Sequence, residues 1–139
     1  MGILIKEQTR QKNIQFIMDV DKDIIIKGNM EDIRRALMNL LLNAIEAVSA
    51  LNKDNAQVGI SLKKEGYNIT IKVFDNGPGI PASAIDKIFE PYFTTKKGGT
   101  GLGLFIAHKI IREHNGKIEV KSNIDQGTEF TINLPFNNG

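Results

Sequence analysis

The sequence predicts an α+β fold in which helices pack on one face of a mixed sheet. Segments of strand and helix character follow one another as strands, helix, two strands, short helix, helix and two strands, an order that suits a two-layer α/β sandwich. The first long helix is apolar nearly all round, carrying Leu37, Met38, Leu40, Leu41, Leu42, Ala44, Ile45, Ala47 and Val48, and so demands deep burial. Glycine, proline and asparagine punctuate the chain between these segments. At 139 residues it reads as one domain, 1–139.

In chain order, Asn13 to Met18 alternates weakly and Ile24 to Lys27 is β-branched, and both read as short strands. Gly28-Asn29 breaks the chain. Asn29 suits an N-cap, with Glu31 and Asp32 in the first turn, where the helix dipole favours them. The helix runs to about Leu51. Gln57 to Lys63 and Tyr67 to Phe74 read as a hairpin turning at Lys64-Glu65-Gly66. Asp75 to Pro81 is a loop, and a short helix covers Ala82 to Phe89. A glycine-rich stretch then passes into a helix near Leu102 that stops at Asn115-Gly116. Lys117 to Ser122 and Thr128 to Leu134 complete the sheet around a turn at Asp125-Gln126-Gly127.

Composition narrows the function classes. Hydrophobic content of 41% and charged content of 24% are those of a soluble globular domain, and a net charge of +2 implies no strong attraction to nucleic acid or to an acidic membrane. The chain has no cysteine, which excludes a disulfide scaffold and a thiolate metal site and fits a reducing, cytoplasmic compartment. No apolar run is long enough to span a bilayer, and the chain opens on no signal-peptide pattern.

Three stretches carry chemistry. On the long helix, Arg35, Asn39, Asn43 and Glu46 form a polar stripe on one face. Its amides either bond neighbouring backbone or face a polar ligand, and an asparagine oxygen suits Mg²⁺ held beside phosphate. "DNGPGI", Asp75 to Ile80, is either a plain turn or a pocket wall. In the second case the Asp75 carboxylate, which only accepts hydrogen bonds, suits the amino group of adenine and repels the carbonyl of guanine. Gly77 and Gly79 would let the backbone approach a flat base. "GGTGLGL", Gly98 to Leu104, matches neither the P-loop nor the dinucleotide glycine code. It is either a flexible loop capped by a helix or a phosphate cradle at a helix N-terminus.

"NLLLNAIEA", "DNGPGI", "FEPYF", "GGTGLGL" and "GTEFTINLP" occur in that order. They resemble the N, G1, F, G2 and last glycine boxes of the catalytic, ATP-binding domain of sensor histidine kinases, relatives of gyrase and of chaperone and mismatch-repair ATPases. The resemblance spans about residues 12–135. It implies the Bergerat α/β sandwich, with a mobile ATP lid between Phe89 and Gly103, and Mg-ATP as the ligand. Asn43 resembles the Mg²⁺ ligand and Asn39 its companion near the phosphates. Asp75 is similar to the adenine-reading aspartate, Gly77 and Gly79 to the G1 glycines, and Thr128 to a residue at the adenine edge. Gly99, Thr100, Gly101, Leu102 and Gly103 resemble the loop over the phosphates, Phe89 and Phe93 hydrophobic latches of the lid, and Lys96 a contact to the γ-phosphate. Glu46 departs from many members, which carry a basic residue there, and this puts more weight on Lys96.

The resemblance implies transfer of the γ-phosphoryl group to a histidine on a separate dimerisation and phosphoacceptor domain. A response regulator then follows indirectly, and this domain is monomeric with no membrane contact of its own. Rival readings are an ATPase or anti-sigma-type serine kinase on the same fold, or a non-catalytic ATP-sensing module. The ATPases and serine kinases generally carry Glu where this chain has Asn39, which cannot take a proton. Neutral histidine needs less activation as a nucleophile. His108, with Arg112 one turn on, reads as lying on or near the exposed face, and His114 as stabilised by the helix dipole. Neither is followed by an acidic residue, so the phosphorylated histidine is expected elsewhere.

Overall fold

The computed structural model describes residues 13–20, 30–49, 54–93 and 102–135, together with residues 5, 7, 9 and 10. Five strands form one sheet in the order β1-β2-β3-β5-β4: β1 (Gln15–Val20), β2 (Gln57–Glu65), β3 (Asn68–Asp75), β4 (Lys117–Asn123) and β5 (Gly127–Pro135). The sheet is mixed, because β1 pairs parallel to β2 while every other pairing is antiparallel. Three helices have described bounds, α1 (Met30–Ser49), α2 (Ala82–Ile85) and α3 (Gly103–Glu113), and Ile5, Glu7, Thr9 and Arg10 are helical as well. Long helices α1 and α3 pack on each other; α1 lies on β2 and β3, and α3 reaches β4.

Strand alternation explains the two layers. Along β3 and β5, Ile69, Ile71, Val73, Phe130, Ile132 and Leu134 are buried, while the intervening residues are at most half-buried. Helix α1 supplies Ile33, Leu37, Leu40, Leu41, Ala44, Ile45 and Val48 to the same core, and α3 supplies Ala107, Ile110 and Ile111. Burying the large side chains of this set is worth roughly 1.5–3 kcal/mol each, which is what holds two helices against one sheet. The opposite face is mostly polar; Ile17 lies on it, and the Phe74 ring lies over Gly59, its cross-strand partner.

Several boundaries differ from expectation. Strand β1 starts after a turn at Asn13, which takes φ +60°, and the strand expected at Ile24 to Lys27 lies outside the described residues. The hairpin turns at Gly66-Tyr67 rather than at Lys64, because pairing continues to Glu65↔Asn68 and Gly66 takes φ +60° at the first turn position. Helix α2 ends at Ile85. Beyond it the bonds shorten to three-residue turns, Lys87 N–H to Ala84 and Glu90 N–H to Lys87, so the segment to Phe89 is not α-helix. Helix α3 stops as expected. Asn115 takes φ +62° and donates to the Arg112 carbonyl, while Gly116 donates to that of Ile111, a Schellman closure.

Candidate functional site

The apolar face of the sheet ends in one polar row. Asp75 closes β3 and lies opposite Thr128 on β5, which in turn lies opposite Ser122 on β4. Residues paired across strands point to the same face, so three oxygen-bearing side chains stand side by side where the rows behind them read Val73, Phe130, Val120 and Ile71, Ile132, Ile118. Asp75 and Thr128 are 8% and 7% exposed, and a buried carboxylate and hydroxyl in a hydrophobic core call for polar company. Asp75 Oδ1 accepts the Gly77 amide at 2.8 Å. Thr128 Oγ1 lies 2.9 Å from Ser122 Oγ.

The loop after β3 is fastened on both sides. Asn76 Oδ1 accepts the Gln57 amide at 2.7 Å and its Nδ2 donates to the Asn55 carbonyl at 2.8 Å. Asp125 donates to the Pro78 carbonyl at 2.8 Å, and Ile80 donates its amide to Ser122 Oγ at 2.7 Å. The space that side chains on the loop's glycines would fill holds protein. A Cβ on Gly77 would lie 2.9 Å from Asp75 Oδ1 and 3.3 Å from Ala47 of α1. Gly79 takes φ +79°, and a Cβ there would strike the Asn123 carbonyl. Gly127, which the sequence reading did not assign to the site, is pressed against the Asp75 backbone in the same way.

The helical side is built differently. Asn39 and Asn43 are half-buried on the stripe of α1, while Arg35 and Glu46 at its ends are exposed. Asn39 Nδ2 donates to the Gly103 carbonyl at 3.3 Å, which ties α1 to the first turn of α3. Among the described residues nothing stands within 4 Å of where a Gly103 side chain would lie, and Leu102 makes no side-chain cap. Among the described residues the first turn of α3 is thus less closely packed than the glycines of the loop after β3. Leu102 and Gly103 are described; Lys96, Gly99, Thr100 and Gly101, and with them most of the expected lid, lie outside the described residues.

Phe89 and Phe93 are half-buried and pack against the core. Phe89 sits between sheet and helix, stacked on His108 at 4.8 Å and meeting Phe130 edge-on at 6.1 Å. His108 is accordingly half-buried. Burial, aided by the nearby Arg112 charge, lowers its pKa below the ordinary value. His114 Nδ1 donates to the Ile110 carbonyl at 2.8 Å, which also accepts the His114 amide at 3.2 Å at the end of α3.

Residues 28–138 match the family described as histidine kinase-, DNA gyrase B-, and HSP90-like ATPase. The chain belongs to this family. It is 36% identical over 135 residues to the sensor histidine kinase ZraS of Escherichia coli (strain K12), covering 96% of this chain and 28% of that protein. It thus spans under a third of that relative. The structure superposes on the nucleotide-free catalytic domain of histidine kinase ThkA with a TM-score of 0.84 at 36% identity, covering 96% of this chain and 88% of that one. Full-length ShkA in complex with AMPPNP gives a TM-score of 0.83 at 26% identity, over 96% of this chain and 28% of that one. The mixed sheet backed by helices is accordingly the Bergerat fold of histidine kinase catalytic domains. Among the described residues no helix is long and apolar enough to cross a membrane.

Proposed function

We propose that this chain binds Mg-ATP and transfers its γ-phosphoryl group to a histidine on a separate dimerisation and phosphoacceptor domain, as the catalytic domain of a two-component sensor kinase. The polar row carries the reading: Asp75 and Thr128 are buried oxygen groups at the end of an apolar wall, a surface that suits a flat base with a donor-bearing edge. The phosphates would run from there along the α1 stripe to the start of α3, where the helix dipole favours an anion. Lys96, Gly99, Thr100 and Gly101 are assigned to the same end by their place in the sequence.

The donor set fits magnesium in a particular way. Among the described residues no group of three or more His, Cys, Asp or Glu could hold a metal ion. A half-buried amide oxygen, that of Asn43, suits a hard cation whose other ligands are phosphate oxygens and water. Such an ion, held by Asn43, would neutralise charge on the transferring phosphate. The protein's own part is positional: the row fixes the base, the stripe and α3 orient the phosphates, and the acceptor arrives from outside. Asn39 favours transfer over hydrolysis, since its amide cannot take a proton from water and its nitrogen is engaged by Gly103.

Both histidines of this chain are occupied, His108 by the Phe89 ring and His114 by a backbone carbonyl. Incubation with γ-labelled ATP and Mg²⁺ should leave the chain unlabelled and place acid-labile phosphohistidine on a cognate phosphoacceptor domain supplied in trans. Stable label on His108 or His114, or phosphate release without label on the partner, would overturn the assignment.

A further inference from the structure

Ser122, the third member of the polar row, was not among the site residues read from the sequence. Its hydroxyl meets three groups: the Ile80 amide at 2.7 Å, the Gly127 carbonyl at 3.1 Å and Thr128 Oγ1 at 2.9 Å. A hydroxyl has one proton and two lone pairs. The amide can only donate and the carbonyl can only accept. One arrangement satisfies all three contacts: Ser122 donates to Gly127, accepts from Ile80, and accepts from Thr128. The Thr128 proton is then turned toward Ser122, away from Asp75.

We infer that Ser122 is a positioning residue that fixes the Thr128 proton, so that Thr128 and Asp75 together form an acceptor-only wall selecting a purine with an amino rather than an oxo group at position 6. The inference rests on the ATP reading above. An amino group brings two N–H donors to two acceptors; an oxo group brings lone pairs against lone pairs. Without Ser122, the Thr128 hydroxyl is free to rotate and can donate to an oxo group. Specificity would then rest on Asp75 alone. Ser122 itself touches no base; it acts through Thr128 and through the Ile80 amide that holds the loop.

Competition binding with ATP and with inosine triphosphate, which differ in the purine at position 6 and in the accompanying N1 proton, tests this. Ser122→Ala should lower the ATP-to-ITP affinity ratio about tenfold, the worth of roughly one neutral hydrogen bond. Ser122→Thr retains the hydroxyl and should keep the wild-type ratio. The groove beside Ser122, lined by Ile80, Ile85, Val120 and Ile124, has room for the added methyl. If Ser122→Ala weakens both nucleotides equally, its role is merely structural and the inference falls. Should Ser122→Ala fail to fold, Thr128→Val removes the same acceptor while keeping a β-branched side chain in the strand. An unchanged ratio in that variant overturns the inference too. A wild-type chain that binds neither nucleotide refutes the ATP reading itself, whereas one that binds both equally refutes the specificity alone.

Discussion

Replacing Asp75 by Asn tests the base end of the site most directly. A carboxylate can hold the Gly77 amide on one oxygen and meet the amino group of a base with the other. In this chain Oδ1 is on Gly77 at 2.8 Å in a position only 8% exposed. An asparagine has a single acceptor oxygen. If that oxygen stays on Gly77, its NH₂ faces the base amino group, donor against donor. If the amide flips, its NH₂ faces the Gly77 N–H and the loop after β3 loses its tether. No rotamer keeps both contacts. Loss of a hydrogen bond to a charged group costs about 1.5–3 kcal/mol, or roughly ten- to a hundredfold in affinity, and the donor clash places the expectation near a hundredfold. Titration calorimetry with Mg-ATP measures it, and thermal melting of the nucleotide-free chain separates the two rotamers, since only the flipped form loosens the loop. An Asp75→Asn protein that folds normally and binds Mg-ATP within about threefold of wild type would refute the assignment of Asp75 to the base.

Other predictions bear on the remaining parts. Asn43→Ala should weaken ATP binding in the presence of Mg²⁺ and leave the Mg²⁺-free affinity near wild type; equal loss with and without the ion would remove Asn43 from the metal. Gly79→Ala, at φ +79° against the Asn123 backbone, should destabilise the fold by at least about 2 kcal/mol, read as a drop in Tm of roughly 5–10 °C; an unchanged Tm would show that the loop adapts. The lowered pKa of His108 means that the unfolded chain takes up its proton more readily than the folded one. Its stabilising contribution is complete above about pH 6.5, declines as pH falls through that value, and levels off below the lowered folded pKa. Denaturant unfolding from pH 7.5 to 5 should therefore show a loss of stability that His108→Gln reduces, and parallel profiles for the two proteins would exclude His108 as its source.

Periodicity carried most of the fold. Apolar residues repeating along α1 and alternating along β3 and β5 left little freedom in how they could be buried, and Asn115-Gly116 ended α3 where turn chemistry said it should. The departures occur where local signals compete. Gly66 and Lys64 both read as turn residues, and only cross-strand pairing to Glu65 decides between them. Ala82 to Phe89 has helical composition, yet its later residues close three-residue turns instead. Candidate residues stood out where a polar side chain interrupted an apolar background, as at Asn39, Asn43 and Asp75. Ser122 did not, because a serine in an edge strand has no distinctive spacing; its meaning comes from lying opposite Thr128, a pairing between strands that no local pattern announces. The partner of His108 is hidden for a related reason. Arg112 one turn on suggests a place on or near the surface, while the Phe89 ring stacked on it comes from nineteen residues earlier in the chain.

The two ends of the candidate site are held by forces of different strength, and this bears on how it would work. At the base end, Asp75, Thr128 and Ser122 stand on three hydrogen-bonded strands, and the loop between them is fastened by Asn76, Asp125 and Ile80. The backbone beneath these groups can move only by breaking ladder bonds, so on the proposed reading the wall is set before a nucleotide arrives. At the helical end, beside the apolar packing of α1 on α3, Asn39 donates to the Gly103 carbonyl in a neutral bond of 3.3 Å. A bond of that kind is worth about 1 kcal/mol or less, roughly a fivefold bias in an equilibrium. A phosphate oxygen offers Asn39 a stronger, charge-assisted partner in place of the Gly103 carbonyl. On the proposed reading, the purine is therefore selected by a rigid wall, while the phosphate end can exchange its internal bond for bonds to the nucleotide. Affinity and base specificity would then belong to the sheet, and the readiness to transfer phosphate to the helices.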